Sequence, residues 1–201
     1  KLRGKDLSVK RQKALEKLEK FNIHSTLVVT LERGQNDDEI GKIIDFALEY
    51  RCLRGVTFQP TQVAGRTDNF DPLKNKFTLT ETRQGILDQT DIFKENDIVP
   101  VPCNPDALAM AYALKLDGKV VPLTSMIDPD IFLNGTRNTI LLEQEENLQK
   151  ELIKVFSTSQ TGGALAKNLQ TLLCCLPMIS APNLSYENIF RVIILKFMDA
   201  H

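Results

Sequence analysis

Apolar positions in the first hundred residues switch between two periods. Over residues 8–20, Ala14, Leu15 and Leu18, with Phe21 just beyond, recur at helical spacing, which predicts a helix with one apolar side. Ser25–Leu31 (STLVVTL) is short, β-branched and uncharged, and predicts a strand. Gly34 then marks a turn. Asn36 with Glu39 three residues on resembles a capping box, ahead of a helix whose apolar face is Ile40, Ile43, Ile44, Phe46, Ala47 and Tyr50. Residues 54–59 (RGVTFQ) predict a second strand, Thr80–Phe93 a third helix, and residues 97–102 (DIVPVP) a third strand. This alternation is the pattern of an α/β protein, with parallel strands joined by right-handed crossovers. A slice of a barrel and a slice of an open doubly wound sheet both satisfy it.

After Cys103 the pattern changes. Asp117-Gly118 lies between AYALKL and KVVPLT, the arrangement of a two-residue hairpin. From Asp128 onward only helices are expected, roughly at 128–134, 144–156, 162–175 and 185–199. The division that follows is 1–103 for the βα units, 104–127 for a linker and hairpin, and 128–201 for a helical region. The last helix covers NIFRVIILKFM, an apolar run with no Gly or Pro stop. That ending, and an opening at Lys1, give the chain the look of a piece of a longer frame.

Alternation along the first strand puts Thr26, Val28 and Thr30 on one face and Leu27, Val29 and Leu31 on the other. In the second strand, Thr57 and Gln59 oppose Val56 and Phe58. The aliphatic sets are expected to pack on helices, leaving a polar inner surface. Ligands of parallel α/β sheets sit at the carboxyl ends of strands, so the candidate loops are 30–36, 59–66 and 102–106. They offer Gln59, Gln62, Arg66, Asn104 and Asp106, with Gly65 permitting close backbone approach. Arg66 is suited to clamping a carboxylate, such as that of an amino acid.

Composition narrows the chemistry further. The 201 residues have a formal net charge of −1, no general basis for binding a polyanion. The lysine-rich first twenty residues read as a solvated helix face, since a nucleic-acid patch would interleave aromatics and only Phe21 comes near. No apolar run reaches the roughly 20 residues of a membrane span, and no signal-peptide pattern is present, so a cytoplasmic location is expected. The two histidines, His24 and His201, do not support a Ser–His or Cys–His pair. Cys52, Cys103, Cys174 and Cys175 fit neither a disulfide framework nor a zinc ribbon. Cys52 is expected in the core.

The stretch LRGKDLSVKRQKALEKLEKFNIHSTLVVTLERGQNDDEIGKIIDFAL resembles the later half of a radical S-adenosylmethionine (radical SAM) partial barrel. RGVTFQPTQVAGR, followed by DIVPVPCNPDALAMAYALKLDGKVVPLT, is similar to the branch containing the tetraether lipid synthases and their bacterial relatives. The resemblance implies the C-terminal part of a radical SAM partial (β/α) barrel, followed by a β-hairpin and a helical accessory region. It implies SAM and a [4Fe–4S] cluster that together yield a 5′-deoxyadenosyl radical for hydrogen abstraction. The substrate is organic, and in that branch the outcome is carbon–carbon coupling of lipid chains. Thr30, Gln59, Gly65 and Arg66 then fall at SAM-contacting strand ends. Cys103 matches an accessory-cluster position, and Cys174 and Cys175 offer further metal ligands.

The CxxxCxxC motif that holds the catalytic cluster is absent from these residues. The chain by itself is therefore expected to be inactive, with the missing N-terminal half as its partner. No nucleic acid or transmembrane segment enters this reading. Two other classes stay open: a non-catalytic α/β module binding a nucleotide or amino-acid-like ligand, and a scaffold docking through an apolar helix.

Overall fold

The computed structural model describes residues 5–62, 71, 74, 76–101, 104–116, 119–125 and 188–197. The chain opens with α1 (Ser8–Lys20) and β1 (Ser25–Leu31), continues through α2 (Ile40–Glu49) and β2 (Leu53–Pro60), and reaches α3 (Leu79–Gln89). A 3-10 turn at Glu95–Asp97 precedes β3 (Val99–Pro100), β4 (Leu108–Leu116) and β5 (Lys119–Pro122), and β6 spans Ile189–Leu195. The strands form a mixed sheet in the order β1-β2-β6-β4-β3, with β5 paired to β4. β1, β2 and β6 run parallel, whereas β4 is antiparallel to β6 and to β3.

The α/β class and the parallel β1–β2 pair agree with the sequence pattern, and β4 and β5 form the expected antiparallel pair. Three local expectations are corrected. The segment within 185–199 is a strand, not a helix: Ile189–Leu195 inserts between β2 and β4. Its apolar run is equally compatible with a buried strand or a buried helix, and its β-branched Val192, Ile193 and Ile194 suit a strand flanked on both sides. The third strand shrinks to Val99–Pro100 and pairs antiparallel with β4, so it is not a third parallel unit. Pro100 and Pro102 limit the amide donors that a longer ladder requires.

The third correction concerns caps. Asn36 does not cap α2, whose N-cap position is Glu39 without a side-chain bond. The working capping box belongs to α3: Thr78 Oγ1 accepts from Glu81 N–H, and the Glu81 carboxylate accepts from Thr78 N–H at 2.8 Å. The expected opening at Thr80 is therefore one residue late, and the helix ends at Gln89 rather than Phe93.

One face of the sheet packs on the helices. Leu31, Val56, Phe58, Ala109, Ala111, Ala113, Phe190, Val192 and Ile194 form a continuous core with Leu15, Ile40, Ile44, Ala47 and Ile86. Two glycines set the closest approaches. A Cβ at Gly55 would lie 2.3 Å from Arg191 O, and one at Gly41 would lie 2.1 Å from Gln89 O. Backbone meets backbone at both places, so no larger residue fits without moving an element. α3 lies across the start of α2 through positions 81, 85 and 89, which share one helical face. Glu81 pairs with Arg33, a Cβ at Gly85 would meet Ile40 Cδ1, and Gln89 binds Asp37 O and Gly41 N–H.

Candidate functional site

The carboxyl ends of β1, β2 and β6 lie along one edge of the sheet, beside the start of antiparallel β4. There the last two carbonyls of β1 are already engaged. Asn36 Nδ2 donates to Thr30 O at 2.9 Å while Asn36 Oδ1 accepts from Glu32 N–H at 3.0 Å. Thr61 donates to Leu31 O through both its amide and its hydroxyl, each at 2.8 Å. Short polar side chains readily bond nearby backbone in this way. With its end carbonyls occupied, β1 presents side chains rather than backbone acceptors to anything at this edge.

Those side chains are Thr30 and, on the neighbouring strand, Gln59, which are register partners in the parallel pair. Adjacent strands stand about 4.8 Å apart, so the two groups are side by side. Thr30 is exposed and Gln59 half-buried. Among the described residues neither side chain has a hydrogen-bond partner. The expected orientation of β1 and β2 is observed: Val56 and Phe58 are in the core, Leu27 and Val29 pack against it, and Thr26, Val28 and Thr30 face away.

The inner face is less uniformly polar than the β1 pattern implies. Thr57 is 9% exposed and sits in register between Val28 and Ile193. Ile193 in turn pairs with Met110. Ile193 and Met110 are thus the apolar neighbours of this polar strand end, and Arg191 and Tyr112, also register partners, follow two residues further toward the amino end of β6.

Arg33 ties this edge to α3. Its guanidinium donates to Lys76 O at 2.7 Å and to Glu81 Oε1 at 2.5 Å, and lies 5.5 Å from the Phe77 ring centroid. Burial would raise the Glu81 carboxyl, but the bonds from Arg33 and Thr78 outweigh it and hold the group below its ordinary range. Gly34, at φ 71, supplies the left-handed turn beside Arg33. Thr61, Arg33 and Glu81 are site-shaping residues that the sequence reading does not single out, and Asn36 is one that it reads only as a helix cap. The Asn-Asp-Asp-Glu run was a usable signal, but it denotes a strand-end clamp rather than a cap.

Of the other candidate residues, Gly65, Arg66, Cys103, Cys174 and Cys175 lie outside the described residues. Gln62 Nε2 makes a long 3.4 Å bond to Pro60 O, and Asn104 turns the chain into β4 through its backbone. Cys52 is fully buried at the opposite, amino end of β2. Desolvation and the neighbouring Glu19 push its thiol up to about 11, which makes it a poor ligand and nucleophile. Among the described residues no group of three His, Cys, Asp or Glu side chains is placed to hold a metal ion. No described helix is long and apolar enough to cross a membrane.

The arrangement is an α/β strand end with a neutral donor–acceptor pair and a braced rim, whose side chains can offer hydrogen bonds to a polar ligand. No protein-family profile matches the chain. It is similar to the 7,8-dihydro-6-hydroxymethylpterin dimethyltransferase of Methanocaldococcus jannaschii, with 31% identity over 163 aligned residues, covering 69% of this chain. The chain spans about a third of that relative's length, 32%.

Proposed function

We propose that this chain is the later βα portion of a radical SAM enzyme and that its strand-end edge contacts SAM. The observation that carries the reading is the 31% identity to a methyltransferase across most of the chain. It supports a radical SAM relationship at a distance, together with the quoted sequence resemblance. The unengaged Thr30 hydroxyl and half-buried Gln59 amide fit a SAM-sized polar ligand, since a half-buried amide without a partner gains from one. Thr30, Gln59, Gly65 and Arg66 are the proposed SAM contacts.

An iron–sulfur cluster does not fit the described residues, where the one cysteine is the buried, high-pKa Cys52. Cys103, Cys174 and Cys175 remain proposed accessory ligands, and no step is derived through a cluster here. Methyl transfer is the preferred outcome, by likeness to the relative, and a reduced pterin or similar heterocycle the preferred substrate class. Lipid carbon–carbon coupling rests on the sequence resemblance alone.

The test is anaerobic purification and reconstitution of the full reading frame that encodes this chain, followed by mass spectrometry for 5′-deoxyadenosine after reduction with SAM present. Formation of 5′-deoxyadenosine supports the reading, and its absence from protein carrying a full complement of iron and sulfide opposes it. A second reading, a non-catalytic module for a nucleotide or amino-acid-like ligand, draws on the same unengaged Thr30 and Gln59 side chains, which can hold a polar ligand without any catalytic group. A full reading frame without CxxxCxxC that still binds SAM would select it.

A further inference from the structure

The inner face of the sheet holds a buried hydroxyl with nothing to bond. Among the described residues three polar side chains are buried: Thr57, Thr82 and Asp97. Thr82 donates to Thr78 O at 2.9 Å. Asp97 accepts from Lys94 N–H at 2.7 Å and from the Thr124 hydroxyl. Thr57 is 9% exposed, and its side chain makes no hydrogen bond. The half-buried threonines among the described residues, Thr61, Thr78, Thr90 and Thr124, are bonded too, so Thr57 is the exception. A buried hydroxyl left unpaired is destabilising, and a group that bonds it is favoured there.

Thr57 is in register with Val28 on one side and with Ile193 on the other, and Ile193 pairs with Met110. Val28 is 63% exposed, whereas Ile193 and Met110 are 8% and 1% exposed. The row is thus open over β1 and closed over β6 and β4, with Thr57 at the boundary. One row nearer the carboxyl end, about 6.6 Å along the strand, stand the unbonded Thr30 and Gln59. Neither row carries a charged side chain, and Arg191 lies one row further toward the amino end. A resident water would need two to four polar partners, and the flanking Val28 and Ile193 supply none.

We propose that Thr57 is a substrate contact: a planar, uncharged nitrogen heterocycle lies over Val28 with its amide-like edge at the Thr57 hydroxyl, beside SAM at Thr30 and Gln59. Exposed Val28 receives the apolar ring face. The hydroxyl both donates and accepts, so it matches an edge of ring nitrogens, N–H and C=O groups. An ionic ligand would find no counter-charge in either row, and losing its water there would be costly. Assigning the ring to the substrate rather than to the adenine of SAM rests on the function proposed above.

The test uses the reconstituted full reading frame and its Thr57→Val and Thr57→Ser variants. Valine removes the hydroxyl at nearly constant shape, and serine restores it. Binding of 6-hydroxymethylpterin is followed by fluorescence, with 2-naphthalenemethanol as a ring without the polar edge, and SAM binding by calorimetry. Thr57→Val is expected to weaken pterin binding about fivefold, the loss of one neutral hydrogen bond. Thr57→Ser should bind the pterin like wild type, and naphthalenemethanol and SAM should be indifferent to both substitutions. Thr57→Val should melt no lower than wild type, because no internal bond is lost. Pterin binding unchanged in Thr57→Val, a loss not rescued by serine, a loss seen with SAM instead, or a lower melting temperature for Thr57→Val would each overturn the proposal. Wild-type protein that fails to bind SAM would overturn the proposed function instead, and the pterin titration without SAM then decides the Thr57 contact separately.

Discussion

The two ends of the parallel strands are both rich in polar groups, yet they use them differently. At the amino end nearly every group is spent on backbone. Glu19 binds two amides, Lys115 Nζ donates to Tyr50 O at 2.8 Å, Arg54 Nε to Ile189 O at 3.1 Å, and Asn188 Nδ2 to Lys115 O at 3.1 Å. Burial lowers the Lys115 ammonium pKa, only partly opposed by Glu19. At the carboxyl end the backbone is satisfied by Asn36 and Thr61, which leaves Thr30 and Gln59 unspent. A cluster of titratable side chains therefore marks scaffolding here, and a pair of neutral ones marks the candidate site.

This contrast predicts a graded response to mutation. The largest effect is expected at Gly41→Ala, where the new methyl would meet the Gln89 carbonyl at 2.1 Å and force α3 away from α2. Urea denaturation should show a loss of about 3 kcal/mol. Gly85→Ala is the control: its methyl meets only the tip of Ile40, and helix propensity offsets that contact, so stability should stay within about 1 kcal/mol of wild type.

Next comes Glu19→Ala at the amino end, expected to cost about 2 kcal/mol through two charge-assisted bonds. The Glu19 carboxyl is held below its ordinary value, chiefly by the Cys52 amide. Its contribution is therefore complete above the unfolded carboxyl pKa, near 4.5, and is lost as pH falls through the lower folded value. A stability–pH series should show that acid-side slope in wild type and a shallower one in Glu19→Gln. At the carboxyl end Asn36→Ala should cost about 1 kcal/mol, with faster amide exchange at Glu32. The smallest change in stability, under about 0.5 kcal/mol, is expected for Thr30→Val with Gln59→Leu. That double variant should nonetheless lower SAM affinity of the full-length protein at least about tenfold by calorimetry, the equivalent of one lost hydrogen bond. If it destabilises as much as Glu19→Ala, the distinction between the two ends fails.

The first half of the fold was readable because its signals are local. STLVVTL and RGVTFQ have the composition and the period of strands, and the faces of Leu27, Val29, Val56 and Phe58 follow from alternation alone. β6 was misread because FRVIIL has no flanking pattern that separates a central strand from a buried helix. Its identity is fixed by β2 and β4, more than 70 residues distant. The site was half legible. Thr30 and Gln59 follow from the strand-end rule, but Asn36 was given a cap's role because local spacing cannot tell whether an Asn reaches forward to a helix or back to a strand.

The place of β6 also governs the order of assembly. It fills the gap between β2 and β4, and Arg54 reaches across a separation of 135 residues to the Ile189 carbonyl. During synthesis the β1–β2 pair and the β4–β5 hairpin emerge early, each with an unsatisfied side that only the arrival of residues 189–195 can close. Until then both edges are open to other nascent chains. The sheet thus completes late, at a rate set by long-range loop closure, and a ribosome stalled before Ile189 would release a product with two sticky halves and no centre.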